Sequence, residues 1–206
     1  MTFEQLNARQ TDALKEISNI GMGHAATALS QLLGETVMLK VPRVTVTEFS
    51  AVPELIGGAE KPVVGIILRI LGDACGSLLL IFPCDSASRL LSGLLGPGCG
   101  EGEFSEMDIS TLKEVGNIVA SAYLSALGQM LNLSLIPSVP AMACDMAGAV
   151  IDQVLVELGG STDMALMLET QFHGGGQNQD AVTGHCFVLP DPDSLRAIFQ
   201  AMEELS

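Results

Sequence analysis

Leu14-Lys15-Glu16-Ile17-Ser18-Asn19-Ile20 has a second copy in this chain. About a hundred residues later the sequence reads Leu112-Lys113-Glu114-Val115-Gly116-Asn117-Ile118. Both copies hold Leu-Lys-Glu, two further residues and then Asn-Ile. The correspondence runs on through Ala28/Ala126, Leu29/Leu127, Gln31/Gln129 and Leu33/Leu131, and reaches Val41-Pro42 and Val139-Pro140 without a gap. Two copies at this spacing are too few and too long for a solenoid. They predict a duplicated half-domain, residues 1–98 and 103–206, with approximate two-fold symmetry between the halves and a glycine-rich joint at Gly96–Gly102.

Outward from the repeat, each half reads helix, strand, short element, strand, strand, helix. Thr2-Phe3-Glu4-Gln5 has the form of a capping box. Leu14, Ile17, Met22, Ala25, Leu29 and Leu32 then recur at helical steps up to Gly34, a suitable C-terminal cap. Thr36 to Phe49 alternates like a strand, bent at Pro42, which has no N–H to give a ladder. Ser50–Ile56 predicts a short helix, and Pro62–Leu71 and Gly76–Phe82 a hairpin. Asp85–Leu95 predicts a helix capped near Asp85 or Ser86.

The second half repeats the plan. A capping box at Ser105–Asp108 opens a helix to about Leu131, and a strand region follows over Leu133–Ala143. Ala147–Leu158 fits either a helix or a strand. Asp163–Phe172 and Val182–Leu189 form a strand pair around a polar turn, and Asp193–Leu205 a closing helix. The fold class is therefore α/β (α+β): one internally duplicated, pseudo-two-fold domain, with a central sheet under packed helices, two of them long and motif-bearing.

Of the 206 residues, 48 % are hydrophobic and only 4 % aromatic, so the core is built from Leu, Ile, Val, Met and Ala. A net charge of −15 argues against nucleic acid and an anionic membrane surface. It suits a protein partner. Neither a signal peptide nor a span long enough for a bilayer is visible, and five cysteines without a Cys-x-x-Cys pair read as reduced thiols. The expectation is a cytoplasmic protein without membrane insertion. His24, His173 and His185 match no zinc spacing, so no metal site is expected. Gly21 and Gly23, each costing about 1 kcal/mol of helix propensity, are expected to permit close packing.

On a helical wheel Asp12, Glu16 and Asn19 share one face, opposite Leu14, Ala25 and Leu32; Ser110, Glu114 and Asn117 do the same in the second copy. Glu on an exposed face is unremarkable. Asn is a mediocre residue inside a helix, and its recurrence in both copies points to a use. Neither residue is a strong nucleophile, and no Ser-His-Asp or Cys-His array accompanies them. A carboxamide can hold a water through its oxygen and its NH₂ group while adding no negative charge. Beside a phosphoryl group, orienting one water is a sufficient catalytic role.

These motifs resemble those of the CheC family of chemotaxis phosphatases, which is related to CheX and FliY. The family pattern is Asp or Ser, three residues, Glu, two residues, Asn, and a Pro after twenty-two more. Asp12, Glu16, Asn19 and Pro42 fit it once, and Ser110, Glu114, Asn117 and Pro140 fit it again. The resemblance implies a phosphatase for the phosphorylated aspartate of the response regulator CheY. It makes Asn19 and Asn117 the water-orienting residues and Glu16 and Glu114 the contacts to a regulator lysine, with Asp12, Ser110, Pro42 and Pro140 supporting the motif. It also implies no cofactor in this chain, Mg²⁺ on the regulator, and CheD as a further partner. The rival expectation is an adaptor that sequesters CheD or phosphorylated CheY with little catalysis.

Overall fold

The computed structural model describes residues 8–34, 36–100, 102–157, 164–174, 182–191, 193–194, 197–198 and 200–201. The capping box at Thr2 and the centre of the polar turn after His173 lie outside the described residues. Helix α1 (Ala8–Leu33) ends at Gly34, whose φ of 67° is a left-handed closing conformation. Strand β1 (Val37–Glu48) leads through a 3-10 turn at Phe49–Ala51 into the one-turn helix α2 (Val52–Leu55). The hairpin β2 (Pro62–Gly72) and β3 (Gly76–Pro83) and helix α3 (Cys84–Leu95) complete the first half.

Helix α4 (Glu106–Leu131) opens the second half, its capping box formed reciprocally by Ser105 and Asp108. Burial notwithstanding, hydrogen bonds from the Ser105 hydroxyl and N–H, and from the backbone at Gly100, hold the Asp108 carboxyl below the usual carboxylate range. The predicted strand over Leu133–Ala143 divides into β4 (Leu135–Pro137) and β5 (Ala141–Met146). The ambiguous segment is a helix, α5 (Ala147–Glu157), and a second hairpin follows as β6 (Met164–Gly174) and β7 (Val182–Pro190). Residues 193, 194, 197, 198, 200 and 201 are helical. The start of α3 and the end of β6 differ from the sequence reading: Pro83 is the N-cap of α3, which has no side-chain cap, with Asp85 in the first turn, and β6 runs two residues past Phe172 to Gly174.

The sheet has the order β1-β6-β7-β3-β2-β4, with β5 also on β2, and every pairing is antiparallel. Exchanging the halves maps this order onto itself reversed. Each half's first strand crosses to the other half's hairpin, so neither half has a complete sheet without its partner. Alternation sorts the side chains to two cores. Leu78, Leu80 and Phe82 face α1, α3 and α4, whereas Leu79 and Ile81 face α2 and α5.

Close backbone approach fixes both long helices. A Cβ at Gly21 would stand 3.0 Å from the Tyr123 Cα, so α1 and α4 touch there almost backbone to backbone. One at Gly116 would stand 2.7 Å from Ile66 Cγ2, so α4 lies low on β2. Gly23 is a correction to the sequence reading: it faces open space and serves no packing role. Tyr123 is fully buried, its hydroxyl 3.5 Å from Ser18 Oγ, and burial pushes its phenol up.

Candidate functional site

Asp12, Glu16 and Asn19 are exposed on α1, and Ser110 and Glu114 are exposed on α4, where Asn117 is half-buried. Each face is held by the apolar residues behind it, with Leu14, Ile17 and Ala25 buried under α1 and Leu112, Val115 and Val119 under α4. The two copies stand on different helices, and each brings its Glu and Asn together one helical turn apart. Neither Glu16 nor Glu114 forms an ion pair with a described residue; the one ion pair among these is exposed, Arg89 to Asp85 at 3.4 Å. No cluster of three or more His, Cys, Asp or Glu suited to a metal ion occurs among the described residues.

The asparagines differ. Asn19 Nδ2 donates to the Lys15 carbonyl at 2.9 Å and, at 3.4 Å, to the Val41 carbonyl, while the Val41 N–H donates to Asn19 Oδ1 at 3.1 Å. Strand β1 is the edge of the sheet, and there the register shifts between Lys40 and Arg43, a bulge at Pro42. Pro42 supplies no N–H, the ladder to β6 breaks, and the Val41 backbone faces the open edge. The Asn19 carboxamide pairs with it as a neighbouring strand's peptide group would. Ser30 acts alike four residues earlier in the strand, its Oγ accepting the Val37 N–H at 2.8 Å. The twenty-two-residue spacing of the motif thus spans a contact that the sequence could not reveal.

In the second copy the contact is missing. Ser138, matching Lys40, ties the chain to β2: its N–H donates to the Arg69 carbonyl at 2.9 Å, and its Oγ accepts the Arg69 N–H at 2.9 Å. Val139, matching Val41, is left 88 % exposed in the gap between β4 and β5. Asn117 makes no side-chain hydrogen bond to a described residue, so one acceptor and two donor positions stay uncommitted. Pro140 is half-buried; the side chain of Pro42 lies outside the described residues. Met38 and Ile136, matched across the halves, are both exposed large apolar residues on the outer strands.

Of the three histidines His24 is exposed, and His173 is a β6 residue paired with Met38. His185 lies on β7 with an unpartnered Nδ1; burial lowers its pKa, against the pull of Glu169 and with a smaller contribution from Lys61.

Comparison with known proteins bears on both motif regions and on the fold. The CheC-like family matches residues 10–46 and 107–142, in each case a motif helix and the strand region after it. The CheY-P phosphatase CheC of Bacillus subtilis (strain 168) is 37 % identical over 203 residues, 97 % of each chain. The flagellar motor switch phosphatase FliY of the same organism is 32 % identical over 117 residues, 55 % of this chain and 30 % of that one. Among solved structures, Thermotoga maritima FliY superposes with a TM-score of 0.77 at 19 % identity, covering 98 % of this chain and all of that one, which is 100 %. The FliM middle domain from H. pylori has a TM-score of 0.68 at 12 % identity, covering 95 % and 99 %. At such identities the structures establish a shared fold, and the full-length sequence relationship establishes more: this chain belongs to the CheC-like family.

Proposed function

We propose that this protein hydrolyses the aspartyl phosphate of a CheY-type response regulator, with two copies of the site in one domain, residues 1–98 and 103–206. The observation that carries the reading is the identity of 37 % along 97 % of the chain to a CheY-P phosphatase, joined to two complete Glu-x-x-Asn pairs on helical faces. Asn117 orients a water in line with the phosphorus, its Oδ1 accepting from the water and its Nδ2 donating to it. The water oxygen bonds to phosphorus, the bond to the aspartyl oxygen breaks, and the water's proton passes to the phosphate. Glu114, one turn earlier, engages a regulator lysine. Asn19 and Glu16 take the same roles in the first copy, and Asp12, Ser110, Pro42 and Pro140 support the two motifs. The chain supplies no cofactor; Mg²⁺ belongs to the regulator. The membrane has no part in the reading, and no described helix is long and apolar enough to cross one. A cytoplasmic site of action follows from the substrate.

The second copy is the readier catalyst in this proposal, since Asn19 must release the Val41 backbone before it can hold a water. Loss of labelled phosphate from the cognate regulator tests the reading. Asn117→Ala should slow it by ~10²-fold or more, in line with loss of a positioned polar group, and Asn19→Ala by less. Decay at the regulator's own rate, with CheD supplied, would sink it.

The engaged carboxamide of Asn19 favours a second reading, an adaptor that binds CheD or phosphorylated CheY without turnover. That reading predicts a stable complex that survives replacement of both asparagines.

A further inference from the structure

Cys84 and Cys144 are far apart in sequence and come from different halves, yet their sulfurs lie 3.8 Å apart. The sheet brings them together. Phe82, Val64 and Cys144 form one row across β3, β2 and β5, and two residues after Phe82 the chain turns into α3 at Cys84. Both thiols line an open cleft of about 390 Å³ with Phe104, Ile109 and Met142. Cys144 is exposed and Cys84 half-buried. Cys75, Cys99 and Cys186 have no sulfur partner among the described residues.

We propose that Cys84 and Cys144 form a reversible disulfide under peroxide, a redox clamp joining the first half's helix α3 to the second half's edge strand β5. A disulfide needs a sulfur separation of ~2.05 Å, so each sulfur has to travel less than about 1 Å. Strand β5 bonds to β2 alone and can follow. The Cys144 thiolate attacks the peroxide. The O–O bond breaks, an S–O bond forms, and hydroxide leaves to become the first water. The Cys84 sulfur then attacks the Cys144 sulfur, the S–S bond forms, and the S–O bond breaks. The departing hydroxide takes the Cys84 proton as the second water. Two thiols lose two electrons, and one peroxide is reduced to two waters.

Accessibility sets the order of events. Burial, then the neighbouring Cys144 and Asp85, push the Cys84 thiol up to about 12, so it stays protonated at neutral pH and resists direct oxidation. The exposed Cys144 is the sulfur an oxidant meets first. Ile109 places the first turn of α4 on the rim of the same cleft, next to Ser110. The clamp therefore stiffens β5 under the helix that carries the second motif.

The test treats the native protein with equimolar hydrogen peroxide, then alkylates it under denaturing conditions. Free thiols should fall from five to three, with a linked Cys84–Cys144 peptide that dithiothreitol releases. Amide exchange over 142–146 should slow at least several-fold in the oxidised form. Cys84→Ser should abolish the link and leave Cys144 as its sulfenic or sulfinic acid, and Cys144→Ser should leave Cys84 reduced. Circular dichroism confirms that each variant is folded. Retention of five thiols, an intermolecular link, or wild-type Cys144 accumulating as sulfinic acid without the link would each overturn the proposal. An unchanged exchange rate in β5 would overturn the clamp.

Discussion

Replacing the two motif asparagines with alanine should move stability in opposite directions. Asn19→Ala removes the acceptor of the Val41 N–H at 3.1 Å and the donor to its carbonyl at 3.4 Å. It also removes the donation to the Lys15 carbonyl at 2.9 Å, an exposed contact that water replaces at little net cost. A net hydrogen bond contributes ~0.5–1.5 kcal/mol. One good bond and one long bond, both part-buried and partly replaceable by water, are together worth about 1.5 kcal/mol. Alanine returns about 0.6 kcal/mol of helix propensity, which leaves a net loss near 1 kcal/mol. Asn117→Ala loses no hydrogen bond to a described residue and keeps the propensity gain, so it should stabilise by about 0.5 kcal/mol. In a domain of this size 1 kcal/mol corresponds to ~2–4 °C in Tm. Asn19→Ala should therefore melt ~2–4 °C below the parent and Asn117→Ala ~1–2 °C above it. Differential scanning calorimetry with urea titration gives both numbers. Shifts of equal sign and size, or a greater loss for Asn117→Ala, would refute the argument that β1 holds only the first carboxamide.

Further outcomes follow from packing and charge. Gly23→Ala, facing open space, should stabilise by about 1 kcal/mol. Gly116→Ala should destabilise by ~1–3 kcal/mol despite the same propensity gain, because its Cβ meets Ile66 at 2.7 Å. Urea midpoints separate the two, and a stabilising Gly116→Ala would show that α4 can lift off β2 freely. His185 has its folded pKa lowered by burial. Its unfolded imidazole accepts a proton near the ordinary value of 6.5 while the folded one still resists, so stability should decline as pH falls below about 7 and level off beneath the folded pKa. The stability difference between the parent and His185→Gln should carry that slope; a pH-independent difference would contradict it. The depressed Asp108 acts at lower pH. Its contribution is complete above the ordinary carboxylate range and is lost as pH drops through the lowered folded value, a loss that Asp108→Asn should remove from the acid-unfolding curve.

The sequence by itself determined the repeat, the element order within each half and the polar faces of α1 and α4. These are local or self-comparative properties: helical and alternating periodicity, capping residues and matched positions each report on neighbours a few residues away. The boundaries of β1, the first hairpin and α4 follow from such signals within a residue or two. The segment Ala147–Glu157 did not, because the branched run Val154-Leu155-Val156 suits either state until the burial of Ala147, Val150, Ile151 and Val154 on one helical face decides. Tertiary structure alone decided what depends on meetings across long stretches of chain. Only there does each half's first strand cross to the other hairpin, Val41 seize Asn19 while Val139 leaves Asn117 unattended, and two cysteines from different halves face each other. Gly21 and Gly23 make the same point within one turn of helix. The letters are equal, and only the proximity of Tyr123 to the first gives one of them a packing role. The physical reason is that a repeat specifies equivalent backbones, whereas hydrogen-bond partners and contacts depend on what the rest of the chain places opposite each copy.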